Sequence, residues 1–267
     1  RYTYLASIGI SFILAWGLPE FFKTELSRKK VLLPAGVVYL AVLTCLTWVQ
    51  AGYWQDDLTL FGRTLSVTKN NDLMHYNIAW SYAQAGDLEK AKAHLHEALR
   101  IDAREDRYYA NLGLVYEKSG DKDKAIYYYE EGLKRKPDND TIHSNLGTTL
   151  ESSGRKAEAL EHYRKAMAIN PRMSPAHYNY ATLMLEQGRV EEAEKELREA
   201  IALNSHYREA LNELAVLLLN QGRTSESIAP LRELIRLDPG NVPAIYALAN
   251  SLARESRLDE AVLYYHR

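Results

Sequence analysis

A spacing of 34 residues recurs without insertion or deletion from Asp72 to the end of this 267-residue chain, and it limits the possible folds more than any other feature. Units that begin at Asp72, Asp106, Asp140, Ser174, Arg208 and Val242 put Ala79, Gly113, Gly147, Ala181, Ala215 and Ala249 at their eighth place. A small residue there lets two helices approach closely. The fifteenth place holds Gly86, Gly120, Gly154, Gly188, Gly222 and finally Ser256. Glycine tolerates the positive φ with which helices commonly end, so each unit reads as a helix, a turn and a second helix.

The twentieth place carries Ala91, Ala125, Ala159, Ala193, Ser227 and Ala261, and the twenty-fourth Leu95, Tyr129, Tyr163, Leu197, Leu231 and Tyr265. A small residue beside a large one gives the second helix a knob and a pocket. Pro137, Pro171 and Pro239 fall at the thirty-second place, where a missing backbone N–H separates one unit from the next. Together these places resemble the tetratricopeptide repeat, over about three quarters of the chain. The resemblance implies an all-α fold, a right-handed superhelix of helix-turn-helix repeats at 72–105, 106–139, 140–173, 174–207, 208–241 and a sixth, truncated repeat at 242–267. It also implies that the first helices line a concave groove for a protein or extended peptide.

The residues before the repeats have a different composition. Thr3 to Leu18 carries no charge, Phe21 and Phe22 extend that stretch, and Val31 to Gln50 is a second uncharged run long enough for about 30 Å of hydrocarbon. The sequence predicts two transmembrane helices, about 3–22 and 31–50, within a domain at 1–54. Lys23, Arg28, Lys29 and Lys30 lie between them, and positive charge in a short loop favours the cytoplasm. Two crossings then place the repeats on the extracytoplasmic side, periplasmic or lumenal, with Trp48, Tyr53 and Trp54 as interfacial anchors. Residues 55–71 read as a half-repeat capping helix, because Phe61 falls on the place later held by Tyr129 and Tyr163. The sixth repeat stops within its second helix, which predicts further repeats in the natural protein.

The sequence offers no constellation for catalysis and no cofactor site. Cys45, the only cysteine, lies in the second uncharged run, which excludes a disulfide within the chain and a thiolate metal site. His75, His143 and His177 share the fourth place and His94 and His162 the twenty-third, so the histidines follow the repeat instead of converging on a metal. The glycines are explained by repeat turns, without a phosphate loop, and no HExxH pattern occurs. Acidic and basic residues interleave, as in Glu191 to Ala200, and the net charge of −2 argues against a nucleic-acid partner.

Recognition is therefore the expected activity. Asn77, Asn111, Asn145 and Asn179 occupy the sixth, groove-facing place, followed by Glu213 and Ala247. A carboxamide both donates and accepts, so this series suits a peptide backbone. It is similar to the asparagine ladder in the repeat domain of O-linked N-acetylglucosamine transferase, although asparagine at a solvent-facing place is equally a neutral choice. Tyr76, Tyr178 and Tyr246 at the fifth place and Trp80 at the ninth add apolar contact area, or pack between repeats. Glu117, Lys118, Glu151, Glu186, Asn220 and Arg254 complete the wall with mixed charge.

The opening RYTYL, the two uncharged stretches, the basic loop and the YWQDDLTLF junction resemble the C-terminal part of membrane glycosyltransferases that carry tetratricopeptide repeats and are related to protein O-mannosyltransferases. That resemblance implies a polyprenyl-phosphate-sugar-dependent enzyme whose catalytic part lies upstream, with the repeats recruiting its substrate. The alternative is a membrane-anchored scaffold without chemistry that assembles an envelope or secretion complex.

Overall fold

The computed structural model describes residues 33–52 and 57–266, and these form fourteen α-helices and no strand. The chain divides into two compact units, 1–69 and 70–267.

The first unit contains α1 (Leu33–Gly52) and α2 (Asp57–Val67). α1 is uncharged, and Val37, Val38, Leu40, Leu46 and Trp48 are exposed on it, as is Cys45. Among the described residues no helix is long and apolar enough to cross a membrane. The two expected spans thus find no support among the described residues. The first of them, at 3–22, the basic loop and the anchors Tyr53 and Trp54 lie outside these residues. No side chain of α2 is buried.

The second unit is a stack of six helical hairpins. Its first helices are α3 (Asp72–Gln84), α5 (Asp106–Lys118), α7 (Asp140–Ser152), α9 (Ser174–Glu186), α11 (Arg208–Asn220) and α13 (Val242–Arg254). Their partners are α4 (Leu88–Ile101), α6 (Lys122–Arg135), α8 (Lys156–Ile169), α10 (Val190–Leu203), α12 (Thr224–Leu237) and α14 (Leu258–Tyr265). Every helix packs on its neighbours in the chain, and α7 also touches the first helices on either side, α5 and α9. The result is an α-solenoid, all-α among the described residues.

The turn inside each hairpin shows why glycine recurs. Gly120 has φ +85°, its N–H donates to the Glu117 carbonyl, and the Asp121 N–H reaches back to the Tyr116 carbonyl at 3.0 Å. These two bonds satisfy the carbonyls left open at the end of α5. The Asp121 carboxylate then accepts from the Lys124 N–H and caps α6, so one residue closes one helix and opens the next. Ser256 adopts the same left-handed conformation at φ +61° without glycine's freedom.

Packing inside the hairpins takes two forms. In repeats 2 and 3 the eighth place is glycine, and a Cβ built on Gly113 or Gly147 would lie 2.6 Å from the ring of Tyr129 or Tyr163. Both rings are completely buried. In repeats 1, 4 and 5 the eighth place is alanine and the twenty-fourth is Leu95, Leu197 or Leu231, all buried. The methyl group at one place and the smaller side chain at the other fill the same space. Repeat 6 combines Ala249 with Tyr265, and Tyr265 turns outward, 47% exposed, with its hydroxyl donating to Asn250 at 2.6 Å.

Candidate peptide-binding groove

The sixth place lies on the first helices, and Asn77, Asn111, Asn145 and Asn179 are all half-buried there. Three of them reach back to a hydroxyl group of the preceding repeat. The Asn111 amide donates to Tyr76 Oη at 3.3 Å and to the Arg107 carbonyl at 2.9 Å. Asn145 is hydrogen-bonded to the Tyr129 hydroxyl. The Asn179 amide donates to Thr148 Oγ1 at 3.3 Å, and its side chain also meets the Tyr163 hydroxyl. These bonds stitch consecutive repeats together and fix the carboxamides. With the nitrogens turned to the neighbouring repeat, no donor among the described residues engages Oδ1 of Asn111 or Asn179. Those oxygens remain as acceptors for a ligand N–H.

The aromatic residues of the fifth place are partly used in packing. Tyr76 lies against Tyr108 with ring centroids 5.3 Å apart, and Tyr178 against Tyr207 at 5.1 Å. Tyr246 meets Tyr265 edge-on at 6.0 Å and remains 61% exposed. Trp80 is 50% exposed. It lines a cleft between α3 and α5 together with Tyr76, Ala83, Leu95, Asn111 and Lys118. A second cleft, between the end of α11 and α13, is lined by Leu219, Tyr246, Ala247, Asn250 and Arg254.

Glu117 and Glu151 have a role that the sequence did not disclose. The Tyr129 hydroxyl donates to Glu117 Oε2 at 3.1 Å and the Tyr163 hydroxyl to Glu151 Oε2 at 2.7 Å. Burial of each phenol, reinforced by the neighbouring carboxylate, pushes the tyrosine pKa far above its ordinary value. These carboxylates therefore complete the internal packing as well as facing the groove. The residues at the same place in repeats 1, 4 and 5 are Ala83, Leu185 and Leu219, where no tyrosine needs an acceptor. Lys118, Glu186, Asn220 and Arg254 are exposed at the helix ends, and Glu186 pairs with Lys156 at 2.7 Å. Glu213 is half-buried beside Tyr178.

The histidines follow the repeat and meet in pairs within single repeats, a contact that the sequence reading did not foresee. His75 Nδ1 and His94 Nδ1 are 3.0 Å apart, and His143 Nδ1 and His162 Nδ1 are 2.9 Å apart. The Pro137 carbonyl, 3.0 Å from His143 Nε2, can only accept, which puts the proton of neutral His143 on Nε2 and leaves Nδ1 as the acceptor for the His162 N–H. Repeat 4 keeps the geometry with a different partner: His177 faces Glu196 at 2.6 Å and the Pro171 carbonyl at 3.0 Å. Burial holds the pKa values of His75, His94, His143 and His162 below the ordinary value, and that of His162 falls to about 4. The signal was available in the sequence, because the fourth place of one helix and the twenty-third of the next were both histidine. It becomes legible only when the two places are read against each other. Among the described residues no group of three or more His, Cys, Asp or Glu side chains could hold a metal ion.

Four sequence models of the tetratricopeptide repeat match the chain, at residues 72–138, 128–174, 152–204 and 209–241. The chain is similar to the human (Homo sapiens) protein O-mannosyl-transferase TMTC4, 32% identical over 90 residues, which is 33% of this chain and 12% of that protein. It therefore spans only a small part of that relative's length. Among solved structures, Pseudomonas aeruginosa PilF aligns with a TM-score of 0.65 at 20% identity, over 72% of this chain and 88% of that one. YrrB, described as a tetratricopeptide-repeat protein with an unusual peptide-binding site, aligns with a TM-score of 0.54 at 20% identity, over 70% of this chain and 96% of that one. Those likenesses speak to the fold. With a 34-residue period, six stacked hairpins and four matching repeat models, the chain belongs to the tetratricopeptide-repeat proteins and carries a protein-interaction module of that family.

Proposed function

We propose that the first-helix face binds extended polypeptide, with the asparagines of the sixth place as the backbone-reading element. The observation that carries this reading is the fixed carboxamide: the Asn111 amide donates to Tyr76 of the preceding repeat and to the Arg107 carbonyl of its own helix, the Asn179 amide donates to Thr148 of the preceding repeat, and both keep Oδ1 for a ligand. Such acceptors, held in place before binding in repeats 2 and 4, read backbone N–H groups with little regard for side chains and lose little entropy on association. Tyr76, Trp80 and Tyr178 supply apolar area beside the ladder, while Glu117 and Glu151 hold its tyrosine neighbours.

The parent activity that fits best is a membrane glycosyltransferase using a polyprenyl-phosphate sugar, in which this chain is the substrate-recruiting arm. The similarity to TMTC4 supports that reading over 90 residues. The two uncharged runs of the sequence are what support a membrane tether through residues 3–50, and the basic loop between them is what supports an array on the extracytoplasmic side. The test is anisotropy of a fluorescent, permanently unfolded carboxymethylated polypeptide titrated with the full chain. Replacing Asn111, Asn145 and Asn179 by alanine is expected to weaken binding about tenfold or more at unchanged helicity. Sugar transfer by the intact parent protein that falls in parallel supports the enzyme arm. Binding without transfer leaves the membrane scaffold, and equal binding by the triple variant overturns the ladder.

A further inference from the structure

The fifth-place tyrosines of repeats 1 and 4 stand in opposite electrostatic surroundings. Tyr76 packs on Tyr108 and meets two residues of the next repeat: the Arg107 guanidinium lies over its ring, 5.9 Å from the centroid, and the Asn111 amide donates to its hydroxyl at 3.3 Å. Arg107 and Asn111 hold the second and sixth places of repeat 2. Tyr178 likewise packs on a tyrosine, Tyr207. The second and sixth places of the repeat that follows it are Glu209 and Glu213. Where repeat 2 offers its tyrosine a cation and an amide, repeat 5 offers two carboxylates.

Among the described residues no lysine, arginine or histidine pairs with either carboxylate. Glu209 is exposed and Glu213 half-buried, and at four residues apart on α11 they share one helix face and repel each other. Glu151 adds a third negative charge from α7. Burial first, then Glu213, Glu209 and Glu151, push the Tyr178 pKa up, and no cation acts the other way. The Asn179 carboxamide, next to Tyr178 in the chain, turns its amide to Thr148 and keeps Oδ1 as an acceptor.

We propose that this part of the groove receives a cationic side chain of the bound polypeptide, laid across the Tyr178 ring and paired with Glu209 and Glu213. The inference rests on the peptide-binding reading above and adds a charge preference to it. Arg107 shows within the same molecule that a ring packed on a second tyrosine still has a face for a cation. At Tyr178 the chain supplies the counter-charges and leaves the cation to the ligand. A cation there gains attraction to the ring and to two carboxylates, and it relieves the repulsion between them. Arginine is the fuller match, because a guanidinium stacks on a ring and pairs with a carboxylate at once. The side chain lies along the open groove surface and needs no enclosed cavity.

The experiment compares two fluorescent dodecapeptides of alternating serine and alanine, one with a single central arginine and the other with citrulline, its neutral isostere, titrated against the full chain at low salt. The wild-type chain is expected to bind the arginine peptide about tenfold more tightly, with a preference that shrinks as salt is added. Glu209→Gln together with Glu213→Gln is expected to bring the two peptides to within about twofold of each other, with circular dichroism reporting the fold. Glu191→Gln together with Glu199→Gln removes the same charge from exposed positions of α10, a second helix, and is expected to keep the preference. A preference that survives the first pair of substitutions in a folded chain, or that falls equally with the second pair, overturns the inference. So does equal binding of both dodecapeptides by the wild type, or binding of the carboxymethylated polypeptide alone. Failure of the wild type to bind any of the three probes overturns the peptide-binding reading itself.

Discussion

Repeats 2 and 3 and repeats 4 and 5 build the same hairpin around different centres. In the first pair glycine at the eighth place admits a tyrosine ring from the facing helix, and a glutamate at the twelfth accepts its hydroxyl. In the second pair alanine faces leucine and the twelfth place is apolar. A buried phenol without an acceptor costs free energy, and an added methyl group beneath its ring collides. Three positions on two helices therefore change together. The lesson is that the repeat consensus hides a choice between two packing sets, and that mixing them is penalised.

The comparison breaks most sharply under substitution in repeat 3. Tyr163→Leu is expected to cost about 2–4 kcal/mol, since it leaves a gap over Gly147 and removes the partner of Glu151. Gly147→Ala alone is expected to cost about 1–2 kcal/mol, the clash with Tyr163 being partly offset by alanine's better helix propensity. Combining both with Glu151→Leu writes the repeat 4 set into repeat 3, and urea unfolding should then recover to within about 1 kcal/mol of the wild type. Additive losses in the triple variant would mean that the two sets are not alternatives.

A smaller effect separates the histidine pairs from the histidine–glutamate pair. The folded-state pKa values of His75, His94, His143 and His162 lie below the ordinary 6.5, so the unfolded chain binds more protons as the solution is acidified. Stability is then full above pH 6.5 and declines as the pH falls through the window down to about 4, where His162 finally protonates. His162→Glu gives His143 the partner that His177 already has. It should remove roughly 1 kcal/mol of that acid loss, a figure discounted for the partial exposure of His162, as read from unfolding curves at pH 7 and pH 5. An unchanged pH dependence would show that the pair does not control it.

The smallest expected change is at the last hairpin turn. Ser256→Gly replaces a left-handed serine with the residue used at the other five turns, and about 0.5 kcal/mol of added stability, or 1–2 °C in Tm, is expected by calorimetry. A loss instead would mean that the Ser256 side chain supports the turn.

Helix positions were largely legible before the fold was known, because they depend on short-range rules. A glycine at the fifteenth place ends a helix wherever it occurs, and Asp87 and Asp121 cap the next one through their own side chains. The groove was legible only in outline. The asparagines stood out by their recurrence, but their bonds to Tyr76, Tyr129 and Thr148 cross from one repeat to the next, and nothing in a single repeat signals them. Glu117 and Glu151 were read as wall residues alone, because a carboxylate at an exposed helix end looks the same whether or not a buried phenol lies behind it.

The sequence by itself determined that this protein is a series of like hairpins, how many residues each takes and where each turns, since period, small residues and helix-ending glycines act locally. Tertiary structure alone decided which tyrosine meets which glycine and glutamate, and which histidines share a proton. Those outcomes depend on side chains from two facing helices competing for the same few cubic ångströms, and that competition exists only once the helices have packed.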